Sequence, residues 1–300
     1  RPAQHPVLTI GNFDGQHRGH QALLQGVRDK AASVQGWPMV LTFDPHPVRV
    51  LAPHVDFRQL SSMDEKLARF REAGIQEVLM LEFTQAFASL TPEAFVGRVL
   101  RDGVQVRELF VGEHFIFGKD RVGNARDLVR LGRDAGFTVH LVSPVRVDGQ
   151  VVSSTRIRGM IQKGEVRKAA EFLGRRYALG GRVIRGAQRG TDLGWPTANL
   201  RLPAGRVIPA DGVYATTVRW KACDFPSVSY IGTRPTFGSG ERLLEAYLLD
   251  VQEDLYDEEI SVQFVERVRD DQVFNTPGEL AARIELDVSQ ARAALEGWAS

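Results

Sequence analysis

Short apolar runs alternate with helical periods along the first half of the chain. Helices are predicted through residues 22–24, over 65–73 and over 92–101, the last with Pro92 early in its first turn. Because the segments between strands are long enough for crossover connections, the pattern predicts an α/β fold with a mainly parallel sheet. Such sheets bind ligands at the carboxyl ends of their strands. The predicted strands are Val7–Ile10, Pro38–Phe43, Val78–Leu81, Leu109–Val111 and Val139–Val142.

The second half of the chain changes to β patterns. A helical stretch over 156–173 ends at Gly174, a residue typical of helix C-termini, and a last helix is predicted over 276–295. Short strands at regular spacing between them predict a barrel or a sandwich. We therefore expect two domains, residues 1–174 and 175–300. The predicted strands are Gly181–Ile184, Gly212–Val218, Ser227–Ile231, Leu243–Val251 and Ile260–Val265.

Composition and charge narrow the range of partners. The 300 residues suffice for about two domains. Residues 1–174 hold 23 Lys/Arg against 19 Asp/Glu and residues 175–300 hold 15 against 18, so the halves carry +4 and −3. These charges are too weak to indicate a nucleic-acid partner. The single Cys223 excludes a disulfide framework. No apolar run approaches the ~18 residues that span a bilayer, so we expect a cytoplasmic protein without a membrane partner.

Two histidines lie between the first strand and the first helix, in the segment Gly11–His20, which reads GNFDGQHRGH. His17 and His20 are spaced to share one face of a first helical turn, and Gly19 removes a side chain where a ligand would approach. The N–H groups of a helix start favour a phosphate. An exposed turn and a metal site are the alternatives, although no third metal ligand is evident. The position after a strand of a parallel sheet favours the phosphate site.

A second polar cluster, Ser153–Arg158, reads SSTRIR and precedes a predicted helix. One hydroxyl would suffice to cap that helix, whereas three hydroxyls and two guanidiniums suit an oligophosphate. The segment Gly112–Asp120 does not fit a P-loop, because its spacing is too long and Asp120 stands where Ser or Thr should bind magnesium.

The second half contains no histidine, so a general base there must be a carboxylate or, less readily, Tyr or Lys. Closely spaced glycines, among them Gly186 and Gly190, permit backbone N–H groups to surround a phosphate. Thr197 and Asn199 supply neutral oxygen ligands suited to Mg²⁺. A glycine-rich hairpin of a barrel is the alternative interpretation of the glycines.

The segment Gly15–His20 resembles the (H/T)-x-G-H signature of adenylyl-transferring α/β enzymes. Its wider context resembles the bacterial bifunctional FAD synthetase family, which combines riboflavin kinase with FMN adenylyltransferase. The resemblance covers essentially the whole chain in the family's order. It extends through the segments Phe43–Pro47, Val111–Gly118, Ser153–Arg158, Gly194–Asn199, Pro209–Tyr214, Gly232–Phe237, Leu244–Asp250 and Asp254–Tyr256.

For the first half, the resemblance implies a Rossmann-like nucleotidyltransferase domain that transfers the adenylyl group of ATP to FMN. His17 and His20 would stabilise charge on the transferred α-phosphoryl group. The sequence departs from the family pattern at His114, where Asp or Asn is usual. This departure predicts that adenylyl transfer is weaker or depends differently on pH. The implied ATP-binding residues are Asn12, Asp14, His17, His20, Ser154, Thr155 and Arg158, and His46 and Phe57 would lie near the flavin.

For the second half, the resemblance implies a β-barrel riboflavin kinase domain with a C-terminal helix. Glu245 would take the proton from the riboflavin 5′-hydroxyl, and its alternative interpretation is a solvated strand carboxylate. Thr197 and Asn199 would hold Mg²⁺ and the phosphates of ATP, together with Gly186 and Gly190. Arg269 and Phe274 would contact the flavin or cover the site.

The leading hypothesis is therefore a two-site enzyme that makes FMN from riboflavin and ATP, and FAD and pyrophosphate from FMN and a second ATP. A kinase without adenylyltransferase activity is one alternative, against which the intact His17 and His20 argue. A non-enzymatic flavin carrier is another, and it would need neither the base Glu245 nor a metal site. The oligomeric state is left open.

Overall fold

A computed structural model describes residues 5–185, 195–233, 242–251 and 253–296. The chain divides into two compact units, Arg1–Ser154 and Thr155–Ser300. The domain boundary that the sequence predicts near residue 174 lies inside the second unit, after its first two helices, and stays a prediction. No helix in the described ranges is both long and apolar enough to cross a membrane.

The first unit is built on a five-stranded sheet with the order β3-β2-β1-β4-β7, and every pair in it is parallel. The central strand β1 is buried along its whole length. These observations confirm the predicted parallel α/β fold. The strands of the unit are β1 (Pro6–Ile10), β2 (Trp37–Asp44), β3 (Glu77–Glu82), β4 (Glu108–Gly112), β5 (Ile116–Phe117), β6 (Gly123–Asn124), β7 (Thr138–Val142), β8 (Arg146–Val147) and β9 (Gln150–Val151).

Helices cover both faces of this sheet. On one face Leu24 and Val27 of the first helix pack with Val7, Val40 and Phe110 of the strands, and a second apolar cluster fills the other face. The helices are α1 (Arg18–Ser33), α2 (Pro47–Leu51), α3 (Met63–Glu72), α4 (Gln85–Ala88), α5 (Pro92–Ala94) and α6 (Ala125–Ala135), with a π-helix at Phe95–Val104 and a 3₁₀ turn at Lys119–Arg121.

Two of the longer helices of the first unit differ from the sequence prediction. The helix predicted over 92–101 begins as one α-helical turn and continues as the π-helix. Helix α6 was missed, although Asn124 and Asp127 form a capping box at its start and Gly136 ends it in the left-handed conformation.

The second unit begins within α7 (Ser154–Gln162), at Thr155, and continues with α8 (Val166–Leu173), where one helical stretch was predicted. The break lies at Gly164, whose φ is +79° and whose missing Cβ would fall 2.8 Å from Cδ of Arg267. A side chain would therefore be strained and crowded there. Gly174 ends α8 in the left-handed conformation, as predicted.

The rest of the second unit is a closed antiparallel barrel with the order β10-β11-β14-β13-β12-β15, which decides between the predicted barrel and sandwich. A C-terminal helix follows it, as predicted. The short strand β11 was not predicted. The elements are β10 (Tyr177–Ile184), β11 (Ala198–Arg201), β12 (Gly212–Trp220), β13 (Cys223–Thr233), β14 (Arg242–Leu248), β15 (Glu259–Asp270) and α9 (Pro277–Glu296).

Candidate active sites

The turn between β1 and α1 lies at the carboxyl end of the central strand, where the chain order of the sheet reverses and ligands commonly bind. The turn is tightly wound, since Phe13, Gly15 and Gln16 all have positive φ values of +49°, +79° and +39°. Such conformations in non-glycine residues persist only where surrounding contacts hold them. We name residues 11–20 the phosphate turn.

His17 and His20 come together as the sequence spacing predicts. Their rings are stacked with centroids 3.7 Å apart, and Nδ1 of His17 accepts a hydrogen bond from the backbone N–H of His20 at 3.4 Å. His17 is therefore the N-cap of α1 as well as a candidate ligand-binding group. The missing Cβ of Gly19 would lie 3.2 Å from the His17 ring, so this glycine makes room for the ring itself.

Asp14 is buried in the phosphate turn. It is 1% exposed, and its Oδ1 accepts hydrogen bonds from the backbone N–H groups of Leu60 (2.9 Å) and Ser61 (3.3 Å). The Ser61 hydroxyl in turn accepts a hydrogen bond from the Gly15 N–H at 3.1 Å. Asp14 thus fastens residues 60–61 to the phosphate turn.

Asn12 remains a candidate for ligand binding. Its amide oxygen is enclosed and has no hydrogen-bond partner in the described part of the chain. A buried acceptor of this kind is costly to leave unsatisfied. The position at the start of the phosphate turn therefore suits a polar ligand.

The polar segment before α7 starts with a direct link to the phosphate turn. The Ser154 hydroxyl donates a hydrogen bond to the backbone oxygen of Asp14 at 2.8 Å. Thr155 and Arg158 follow in the first two turns of α7, and the Thr155 side chain is exposed. Ser154 is thus both the first residue of a helix and a brace of the turn.

The two predicted flavin residues of the first unit lie against each other. His46 and Phe57 stack with ring centroids 4.2 Å apart, and His46 caps the short helix α2 by accepting a hydrogen bond from the Val48 N–H at 3.3 Å. His114, the departure from the family pattern, is exposed in the turn between β4 and β5.

In the barrel, the predicted base and metal ligand are neighbours across two strands. Asn199 of β11 is the direct partner of Glu245 in β14, and Glu245 is the direct partner of Tyr230 in β13. Directly opposed residues share one face of a sheet. Asn199 and Glu245 are 6% and 4% exposed, so Glu245 is not the solvated strand carboxylate of the alternative interpretation.

Thr197 and Asn199 also lie close together. The Asn199 amide nitrogen donates a hydrogen bond to the backbone oxygen of Thr197 at 3.1 Å, which turns the amide oxygen away from that carbonyl. With the Thr197 hydroxyl, this provides neutral oxygen donors of the kind that Mg²⁺ prefers. The residues therefore fit a magnesium ion. The other kinase candidates, Gly186 and Gly190, lie outside the described residues.

Tyr230 is a neighbour of Glu245 that no sequence motif indicates. Its hydroxyl donates a hydrogen bond to Asp271 at 3.0 Å. Burial raises its pKa, and the negative charges of Asp271, Asp211 and Glu245 raise it further. Tyr230 therefore remains a neutral phenol beside the candidate base. Only the strand register, which the sequence pattern does not disclose, could have identified it.

Arg269 and Phe274 lie together, but the arginine has another partner. Nε of Arg269 bonds both carboxylate oxygens of Asp287 in α9, at 3.0 and 2.9 Å, while the guanidinium lies 5.5 Å from the centre of the Phe274 ring. Asp287 is buried and also contacts Arg283. Arg269 thus fastens the C-terminal helix to β15, and Phe274 covers it.

Comparison with known proteins decides the family. A family model described as FAD synthetase matches residues 2–156, and one described as riboflavin kinase matches residues 173–295. The bifunctional riboflavin kinase/FMN adenylyltransferase of Pseudomonas fluorescens is 40% identical over 96% of this chain and 92% of the relative. The chain belongs to the bifunctional riboflavin kinase/FMN adenylyltransferase family. The predicted family, fold class and two-activity enzyme are thereby confirmed.

Other similar proteins also match this chain over nearly its whole length. The Escherichia coli (strain K12) protein of the same name is 37% identical over 97% of this chain and 93% of its own length. The crystal structure of a macrolide-efflux protein from Streptococcus pneumoniae is 30% identical, covers 96% of this chain and 94% of that one, and superposes with a TM-score of 0.89. The shared fold therefore extends over nearly the whole chain.

Proposed function

We propose that this chain phosphorylates riboflavin to FMN and adenylylates FMN to FAD, using one ATP in each reaction. The observation that carries the proposal is that each unit brings two of its predicted catalytic or ligand-binding side chains together. The stacked His17 and His20 lie at a helix N-terminus in the first unit, and Asn199 and Glu245 are buried on one face of the barrel in the second.

In the adenylyl transfer, a phosphate oxygen of FMN attacks the α-phosphorus of ATP. The bond from that phosphorus to the β-phosphate oxygen breaks, and pyrophosphate leaves. His17, His20 and Asn12 bind the phosphates at the N-terminus of α1, where backbone N–H groups favour negative charge. Ser154 of the same unit holds the β- and γ-phosphates, and the roles that the family resemblance implies for Thr155 and Arg158 stay predictions. Positioning and charge stabilisation supply most of the acceleration.

In the kinase reaction, Glu245 takes the proton of the riboflavin 5′-hydroxyl, whose oxygen attacks the γ-phosphorus of ATP while ADP leaves. The burial of Glu245 keeps this carboxylate from bulk water, which suits a general base. Thr197 and Asn199 would hold Mg²⁺, which supplies positive charge to the ATP phosphates when bound. Phe274, beside Arg269, would cover the flavin. Since both reactions consume ATP, we place the protein in the cytoplasm.

The test is to incubate the chain with riboflavin, Mg²⁺ and ATP and to separate FMN and FAD by chromatography. Both products support the proposal, FMN alone indicates a kinase, and neither product indicates a carrier. Glu245→Ala should abolish FMN formation and leave FAD synthesis from supplied FMN unchanged. The matched control is Glu259→Gln, an exposed carboxylate at the start of β15, which should leave both reactions unchanged. If Glu245→Ala still makes FMN, the assignment of the base is wrong.

A further inference from the structure

Lys66, in the first turn of α3, is a buried cation that neither proposed reaction uses. Its side chain is 1% exposed, and its backbone oxygen accepts a hydrogen bond from the Gln16 side chain at 3.1 Å. Burial lowers the pKa of Lys66, while the negative charges of Asp14 and Asp44 oppose that shift. A lysine is rarely buried to this extent unless its charge is balanced by opposite charge nearby.

The surroundings of Lys66 place this residue at the edge of the sheet that holds the phosphate turn. Gln16, which binds the Lys66 backbone, directly precedes His17. Asp14 lies in the phosphate turn, and Asp44 ends β2 at the same carboxyl edge. Within the described part of the chain, no ion pair satisfies the Lys66 ammonium, so the attraction of both carboxylates acts through space.

The charge balance at this edge makes a fixed cation useful. Asp14 adds negative charge, although three hydrogen bonds from the N–H groups of Leu60 and Ser61 offset it. ATP and FMN would bring several more negative charges. A lysine in a poorly screened position would attract phosphate more strongly than one in water.

We propose that Lys66 is a positioning residue for adenylyl transfer, whose buried ammonium draws a phosphate group of ATP or FMN to the phosphate turn. The proposal rests on the adenylyltransferase function proposed above. It does not require Lys66 to touch the substrate, because the interaction of charges acts over several ångströms where water is excluded.

The test compares Lys66→Met, which keeps the shape of the stem, with Lys66→Arg, which keeps the charge. We expect Lys66→Met to raise the KM of adenylyl transfer for ATP or for FMN by about tenfold or more. Whichever KM rises identifies the phosphate that Lys66 attracts. Lys66→Arg should recover most of the loss. Kinase activity of the same preparation, which depends on the other unit, should stay unchanged and controls for the concentration of protein.

A lysine that merely neutralises Asp14 would behave differently. In that case Asp14→Asn combined with Lys66→Met removes both charges and restores adenylyl transfer close to the unmodified level, which would overturn the proposal. A double variant whose KM stays raised above that of Asp14→Asn alone supports it. Binding of ATP and FMN measured by calorimetry gives a second readout that does not depend on turnover.

Lys30→Met is the matched control, because Lys30 is a lysine of the same unit at the far end of α1, where it pairs with Glu108 at 3.1 Å. It should lower the thermal stability of the first unit without changing either KM. If Lys66→Met likewise lowers stability and leaves both KM values unchanged, Lys66 is structural only. An unmodified chain that makes no FAD would instead refute the proposed function, so the two failures are distinguishable.

Discussion

A single glycine controls the geometry of the histidine pair. A Cβ at residue 19 would lie 3.2 Å from Cε1 and Nδ1 of His17, closer than side chains normally pack, so the ring would have to shift by a few tenths of an ångström. That shift disturbs its stacking on His20. Since misplacement of catalytic groups by about 1 Å costs about a hundredfold, we expect Gly19→Ala to slow adenylyl transfer by about tenfold. Steady-state rates of FAD synthesis from FMN measure the effect.

Gly97→Ala is the control for that change. Gly97 lies in the π-helix, and a Cβ there would meet only the end of the Arg101 side chain, at 3.8 Å. This variant should keep full adenylyl transfer, and Gly19→Ala should keep full kinase activity. Unchanged FAD synthesis in Gly19→Ala would mean that the His17 ring can move without consequence for the reaction.

The residues of the candidate sites could be predicted far better than the residues that they contact. The spacing of His17 and His20 along one helical turn is a local property, and the structure brings the rings together accordingly. The partners of Asp14 are 46 and 47 residues away in sequence, and Gln16 meets Lys66 across 50. No local pattern discloses such contacts. For this reason the contacts of Asp14 with residues 60 and 61 could not be predicted, and neither could the position of Lys66 beside the phosphate turn.

Secondary-structure elements likewise divide into those that a local sequence pattern identifies and those that depend on distant contacts. Apolar runs that are buried on both faces, such as β1 and β2, were predicted closely, because their composition alone identifies them. The strand β11 has only four residues and no alternation to reveal it. The break between α7 and α8 depends on Arg267 of β15, which occupies the space beside Gly164. Elements that depend on distant partners were therefore the ones missed.

One contact between secondary-structure elements should make the stability of the first unit depend on pH. Glu108 at the start of β4 bonds His140 of β7 at 2.6 Å and pairs with Lys30 of α1 at 3.1 Å. Burial raises the pKa of Glu108, but the hydrogen bonds from His140 and Lys30 outweigh it, and the pKa lies below its ordinary 4.5. A carboxylate whose pKa is lowered by folding stabilises the fold above its unfolded pKa, and loses that effect as the pH falls through the folded one.

We therefore expect Glu108→Gln to lower the free energy of unfolding at about pH 7. The difference in this free energy between the variant and the unmodified protein should shrink as the pH falls below about 4. Urea unfolding of both proteins across this range measures it. The control is Asp102→Asn, whose carboxylate pairs with Arg101 on the surface and should show little effect at any pH. A deficit that is independent of pH would show that Glu108 acts through packing rather than charge.

At the scale of the whole molecule, the compact unit and the sequence prediction differ in where the kinase unit begins. The sequence predicts a start near residue 175, whereas the compact unit starts at Thr155 and includes α8, which packs on β10 and β15. Arg167 of α8 pairs with Glu266 of β15 at 3.3 Å. The side chains of α8 that are buried in the unit are Val166, Ala169, Ala170, Phe172 and Leu173.

Burying one large apolar side chain stabilises a fold by about 1.5–3 kcal/mol. A fragment without α8 loses several such contributions and exposes the barrel surface that the side chains of α8 cover. We expect a fragment of residues 155–300 to phosphorylate riboflavin and to unfold at a temperature close to that of the kinase unit in the full chain. A fragment of residues 175–300 should unfold at least several degrees lower and aggregate more readily. Thermal unfolding and FMN formation by both fragments measure this. Equal unfolding temperatures would instead place the boundary near residue 174, because α8 would then contribute nothing to the stability of the barrel.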